Sequence, residues 1–303
     1  MTEWNHIKGL RFSMCGDVPM IEVDNDYATA RMTTHGATVL SYCPKDSKGK
    51  AGEDLIWVSD NAIYDNKTPV RGGVPICWPW FGAYKAEFNS PLEDGAEPQG
   101  HGLVRKKSWH LARIETLKNG ATLVEFTTQA DAETRAIWPY EFLLSLQVVV
   151  GETLGLTLTT SNLNPIPLKI TEALHTYFKL PINAKLLVDG LQGAEEIDTL
   201  KDNQSRDVTE KLLVKPPMDS VYLQVQPTLT VSAGGKPALQ IEASNAASSV
   251  LWNPGPETVK GFKDIHPDHW TQFVCIENGN IWDDAVTIAP EGKHRLQIAI
   301  SKP

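Results

Sequence analysis

The feature that most restricts how this chain can fold is a hydrophobic period of two. Leu154, Leu156 and Leu158 alternate with Gly155, Thr157 and Thr159, and Leu296, Ile298 and Ile300 alternate with Gln297 and Ala299. Successive side chains of an extended strand point to opposite faces, so this pattern buries one face and leaves the other polar. Tyr27–Met32, Ala37–Cys43, Ala121–Gln129, Val221–Val225 and Thr228–Val231 are rich in β-branched or aromatic residues and read as further strands. Turn-forming residues punctuate them, among them Lys118-Asn119-Gly120, Asn164-Pro165 and Ala233-Gly234-Gly235. The best helical stretch is short, Asp131–Trp138, and Pro139 stops it. Strands without intervening helices argue against a βαβ layout and predict an all-β sandwich or barrel.

No internal repeat or low-complexity linker divides the 303 residues, so one domain over 1–303 is expected. A chain of this length buries roughly 75% of its unfolded surface and needs no metal or disulfide to fold. Lys85–Gly100 and Asn253–Trp270 read as long loops, which in compact β domains often carry function. The 28 Lys+Arg against 37 Asp+Glu give a net charge of -9. That balance argues against a nucleic-acid partner. An anionic ligand would have to be held by a local cationic pocket. The most apolar stretch, Phe142–Val150, is too short to cross a bilayer, so no membrane partner is expected. Met1–Cys15 shows no basic region followed by an apolar one, so no signal peptide is expected. Cys15, Cys43, Cys77 and Cys275 are widely spaced and form no Cys-x-x-Cys. With no export signal, they point to a reducing cytoplasm.

The phosphate-cradling glycine motifs are absent, as is the G-x-S-x-G nucleophile elbow. His266-Pro267-Asp268-His269 reads as a polar loop, since Pro267 prevents a helix from aligning both imidazoles. Three segments remain. In Val70–Gly82, Arg71 precedes Gly72-Gly73-Val74-Pro75 and the aromatics Trp78, Trp80 and Phe81. Aromatic faces stack on sugars and an arginine fork binds anions, while the plain alternative is a buried turn with a surface arginine. In Gln99–Arg105, glycines flank His101 and allow close backbone approach to a ligand; a strand-entry turn fits equally. The third pairs His175 with Glu277. Period two puts Ala173, His175 and Tyr177 on one face and turns Glu172 away from His175. Glu277 ends the apolar run Phe273–Ile276, where burial should raise its pKa toward a range useful for proton transfer.

Together these segments resemble the hexose-6-phosphate mutarotases (glucose-6-phosphate 1-epimerases) of the aldose 1-epimerase superfamily. The resemblance rests on Arg71-Gly72-Gly73-Val74-Pro75 through Gly82, His101-Gly102-Leu103-Val104-Arg105 and Trp138-Pro139-Tyr140-Glu141-Phe142. Leu174-His175-Thr176-Tyr177-Phe178 and Val274-Cys275-Ile276-Glu277 complete it, in the family's order over nearly the whole chain. It implies a galactose-mutarotase-like twisted antiparallel β-sandwich that opens and recloses a sugar ring, with His175 as acid and Glu277 as base. It implies that Arg71 and Arg105 hold the phosphate and that His101 and Asp219 contact the sugar. No metal or cofactor is implied, and the expected partner is a small-molecule sugar phosphate bound by a monomer. Ring opening takes a proton from the C1 hydroxyl and gives one to the ring oxygen, so two carriers on opposite sides of the ring are expected. The alternatives are a noncatalytic carbohydrate-binding module, which needs no His–Glu pair, and an epimerase for unphosphorylated hexose, which needs no paired arginines. A glycoside hydrolase needs two carboxylates, and only Glu277 has a convincing setting.

Overall fold

The computed structural model describes Trp4 and residues 6–303; positions 1–3 and 5, part of the opening stretch read above for a leader, lie outside the described residues. Antiparallel strands dominate, as the period-two pattern requires. A nine-stranded sheet runs from Leu212–Leu213 through Leu186–Asp189, Thr228–Ala233, Lys236–Ser244, Lys293–Ser301, Leu154–Asn162, Phe142–Val150 and Thr122–Gln129 to His110–Thr116. A seven-stranded sheet runs from Gln204–Asp207 through Glu195–Asp198, Met218–Leu223, Ser248–Asn253, Val274–Asn280 and Glu172–Phe178 to Ile76–Cys77. A four-stranded meander spans Leu10–Cys15 to Val39–Pro44, and Leu168–Ile170 pairs with Val286–Ile288.

The main core joins the inner faces of the two large sheets. Leu158 lies between Leu146 and Leu296 in the nine-stranded sheet, all three buried. Leu174, Phe178, Leu251 and Ile276 enter the same cluster from the seven-stranded sheet. Burying each such side chain contributes about 1.5–3 kcal/mol. Glu172, which period two turns away from His175, points the same way and is fully buried. Its Oε1 lies 2.9 Å from His294 Nε2 on Lys293–Ser301, so a polar bridge ties one sheet to the other.

Several elements differ from their sequence reading for local reasons. The helix is only Ala132–Arg135, closed by reciprocal bonds between Asp131 and Thr134. The strand expected at Ala37–Cys43 begins at Val39, because Ala37 is left-handed at φ 48°. The strand expected at Val221–Val225 is Met218–Leu223, ended by Gln224 at φ 55°. Asn253–Trp270 is more than a loop: it carries the short helix Gly255–Thr258 and two 3-10 turns. Lys85–Gly100 has no strand or helix, yet Ser90 exchanges two hydrogen bonds of 2.8 Å with Lys169.

Trp78 and Trp80 correct the sugar-stacking expectation. Both are fully buried, with Trp78 edge-on to Trp138 and packed on Phe142. Their indole N–H groups are spent inside, on Thr160 Oγ1 and the Gln99 carbonyl. Indoles whose donors find partners are worth more in the core than at a rim.

Gly102 fixes how the His101 loop meets this tryptophan layer. Its φ is 77°, and a Cβ there would lie 1.9 Å from the Trp78 carbonyl oxygen. Gly95 has the same φ with nothing within 4 Å. Gly95→Ala should therefore cost only the left-handed penalty of about 1–2 kcal/mol. Gly102→Ala should cost clearly more, because backbone must move, and equilibrium unfolding in urea of the two variants checks the ranking.

Candidate active site

The outer face of the seven-stranded sheet floors a cleft of about 520 Å3. The strand Glu172–Phe178 lies between Ile76–Cys77 and Val274–Asn280, and its register sets His175 directly opposite Glu277. Ala173 and Tyr177 share the His175 face, as period two predicts, while Leu174 and Phe178 enter the main core. Arg71, His101, Arg105, His175, Asp219 and Glu277 all line this cleft, although they span more than two hundred positions of sequence.

His175 Nδ1 lies 3.4 Å from Glu277 Oε1, and their side chains are 12% and 2% exposed. Neither His175 Nδ1 nor Glu277 Oε2 has a hydrogen-bond partner. A buried polar atom left unpaired costs about 1–3 kcal/mol, so the pair calls for a partner that the neighbouring side chains do not supply. Burial, then the charge of Asp219, pushes the Glu277 carboxyl well above the usual carboxylate range. Burial, then the neighbours His101, Arg105 and Arg71, holds His175 well below the usual imidazole value. Both groups thus favour their neutral forms in the empty cleft. The two side chains are adjacent in the empty cleft. Strand pairing imposes this, since directly opposite residues in a sheet have Cβ atoms about 4.5–5.5 Å apart.

His101 stands beside the pair, its ring centroid 5.6 Å from that of His175. Its Nδ1 accepts from the Gly82 N–H at 3.2 Å and lies 3.2 Å from Cys77 Sγ. Burial pushes the Cys77 thiol up, so it stays protonated and can donate to the same nitrogen. Burial, with Arg105 and Arg71, lowers His101 to about 4. A neutral imidazole whose Nδ1 accepts must carry its proton on Nε2, which makes His101 a hydrogen-bond donor.

Arg71 is not a free fork. Its Nε donates to Asp264 Oδ2 at 3.0 Å, its Nη1 donates to the Tyr177 hydroxyl at 3.2 Å, and Phe262 lies 4.9 Å beneath its guanidinium carbon. Burial lowers its pKa, but Tyr177 and Asp264 raise it further, so it stays charged. Arg105 Nη2 donates to the Gly100 carbonyl at 3.0 Å, and its buried Nε has no partner. Asp219 is raised mainly by burial. Sequence reasoning passed over Asp264, Phe262, Trp252 and Trp282, which also line the cleft. Trp252 carried a usable signal, its place on an apolar strand; the other three sit on irregular backbone with none. Tyr177 was on the predicted face but was given no role.

Among the described residues one trio offers possible metal donors, His175, Cys275 and Glu277, whose ligand atoms lie within 4.8 Å of one another. Burial pushes both the Cys275 thiol and the Glu277 carboxyl up, toward the protonated forms that are poor donors to a cation. A second groove of about 650 Å3 is lined by Lys107, His110 and Asp131, among others; Lys107 and Asp131 pair with each other there.

The sequence matches the aldose 1-epimerase family over residues 19–301. The chain belongs to the aldose 1-epimerase family. It is accordingly an isomerase of that family. It is 31% identical over 263 residues to an Escherichia coli K12 protein named "Putative glucose-6-phosphate 1-epimerase", covering 86% of this chain and 83% of that one. A Salmonella typhimurium protein titled "putative mutarotase" superposes with a TM-score of 0.85 at 27% identity, covering 99% of this chain and 96% of that one. A galactose mutarotase-like protein from Lactobacillus casei shares the fold, with a TM-score of 0.71 at 14% identity over 93% of this chain and 99% of that one. The galactose-mutarotase-like β-sandwich expected from the sequence is therefore the fold of this aldose 1-epimerase.

The buried carboxyl of this epimerase has a measurable consequence. A carboxyl whose folded pKa is raised adds stability below its unfolded pKa and loses it as pH rises through the folded value. Glu277→Gln should raise the melting temperature more at pH 8.5 than at pH 5, and scanning calorimetry at the two values checks the sign.

Proposed function

We propose that this epimerase interconverts the α and β anomers of a hexose 6-phosphate, glucose 6-phosphate foremost, by acid–base ring opening and closure. The observation that carries the reading is the unpartnered His175–Glu277 pair sharing one cleft with Arg71 and Arg105. Glu277 takes the proton of the C1 hydroxyl, His175 gives one to the ring oxygen, and closure reverses both steps. The two oxygens are bonded to the same carbon, so adjacent proton carriers serve them. The pair needs one proton between them. Burial favours that proton on Glu277 over His175 in the empty cleft, whereas the acid role of His175 requires it on the imidazole. A phosphate dianion at Arg71 and Arg105 offsets the two charges that hold His175 down, which favours this transfer.

The family by itself does not separate phosphorylated from free sugars. The two arginines, set against a net charge of -9, favour the phosphate, and so does the name of the Escherichia coli relative. A noncatalytic carbohydrate-binding module has no use for an unpartnered buried acid–base pair, which costs stability. No step of the proposed reaction calls for a metal or cofactor. We further propose that the enzyme works in the cytoplasm as a monomer. The four cysteines are free. Among the described residues no helix is long and apolar enough to cross a membrane.

The direct test is magnetisation transfer between the C1 protons of the two anomers of glucose 6-phosphate, with free glucose alongside. Enhanced exchange for the phosphate only is expected; equal enhancement of both sugars, or of neither, overturns the reading. His175→Ala and Glu277→Ala should each slow exchange by roughly 10²–10⁴-fold with binding largely retained. Arg71→Ala should bring the two sugars toward equal rates.

The pH profile of kcat/KM should be bell-shaped, because only the singly protonated pair is competent. Its acid limb should fall below 6.5, where burial has moved His175, and its alkaline limb well above 4.5, where burial has moved Glu277. An alkaline limb left unchanged in Glu277→Gln removes the base assignment.

A further inference from the structure

We infer that Tyr177 binds the substrate's phosphate beside Arg71 and, through its ring, positions His175 at the sugar-ring oxygen. The inference rests on the hexose 6-phosphate reading above. Its ground is an ordered chain of contacts. The Tyr177 and His175 rings stack with centroids 4.9 Å apart and planes 4° from parallel. Tyr177 is clamped from its other sides by Trp57 and Phe273, at centroid distances of 5.8 and 5.4 Å. The imidazole therefore leans on a ring that cannot easily shift. At the far end of that ring, the hydroxyl oxygen accepts from Arg71 Nη1 at 3.2 Å.

The hydroxyl's own hydrogen has no acceptor among the described residues. Burial pushes the phenol up, so this hydrogen stays in place as a donor. Tyr177 lines the cleft, where such a donor meets whatever the cleft holds. The order of groups matches the substrate. Glu277 lies opposite His175, and Tyr177 follows two residues along the strand, roughly 6.6 Å further at about 3.3 Å per residue. In a hexose 6-phosphate the C1 hydroxyl is followed by the ring oxygen, and only C5, C6 and O6 separate that oxygen from phosphorus. With Glu277 at the C1 hydroxyl and His175 at the ring oxygen, the phosphate falls at Tyr177 and Arg71. The phosphate then does more than anchor the sugar: it bonds to the ring against which the acid is stacked.

The experiment splits the substrate in two. Xylose is a pyranose that lacks C6, and inorganic phosphite stands in for the missing phosphate. Anomeric exchange of xylose is measured by magnetisation transfer with rising phosphite, in the wild-type protein and in Tyr177→Phe. The quantity read is the ratio of rates with and without phosphite within each protein, which a loss of folded protein does not move. Wild type should show saturable activation. Tyr177→Phe should lose roughly tenfold of it, the scale of one hydrogen bond to a charged group. An activation ratio equal to wild type in Tyr177→Phe makes the tyrosine mere packing and overturns the inference. So does phosphite that fails to activate xylose while wild type accelerates glucose 6-phosphate. If wild type accelerates neither sugar phosphate nor xylose, the functional reading itself falls.

Discussion

One cross-strand register governs this site. His175 stands opposite Glu277 because Glu172–Phe178 and Val274–Asn280 pair residue for residue through the middle of the seven-stranded sheet. A one-residue slip would send one of the two into the main core, because the side-chain period is two. The slip is resisted from behind. Leu174 and Phe178 are buried on the opposite face, and Glu172 reaches across to His294 of the other sheet. The Val274–Asn280 strand is buried along its entire length, which is tolerable because neighbours on both sides satisfy its backbone. A carboxyl carried into that setting is forced toward neutrality, and so is the imidazole beside it. Strand pairing thus sets the burial of the two groups as well as their geometry.

The cationic end of the cleft is built against the chain's own field. An isolated guanidinium in that position would be free to swing toward the many surface carboxylates. Asp264, Tyr177 and Phe262 instead hold Arg71 from three directions. Orientation is fixed before any anion arrives, and preorganised donors need no rearrangement when charge appears.

The fold was legible because alternation of Leu and Thr admits few solutions. Leu154–Thr159 and Leu296–Ile300 lie within strands of the nine-stranded sheet, and the expected Ala121–Gln129 is the strand Thr122–Gln129. Boundaries were lost where single residues take left-handed backbone, as Ala37 and Gln224 do, since nothing in an alanine or glutamine announces it. All six expected cleft residues line one cleft: Arg71, His101, His175 and Glu277 stood out from their local sequence, whereas Arg105 and Asp219 were reached by family resemblance alone. What the sequence concealed is partnership. Asp264 lies on Arg71 across nearly two hundred residues, and Trp78 turns inward although its neighbour Phe81 lines the cleft. Both depend on which way an irregular loop faces once it is packed, and that is a property of the assembled core.

Two of the three partners of Arg71, Asp264 and Phe262, come from the segment after Asn253, whereas Tyr177 shares a sheet strand with His175. The setting of Arg71 therefore draws in part on irregular chain that lies outside the paired strands. An insertion or deletion between Gly255 and Trp270 can unseat Asp264 and Phe262 without touching the register of the central strands. Turnover of that loop can therefore reshape the cationic end of the cleft while the paired strands beneath it keep their register.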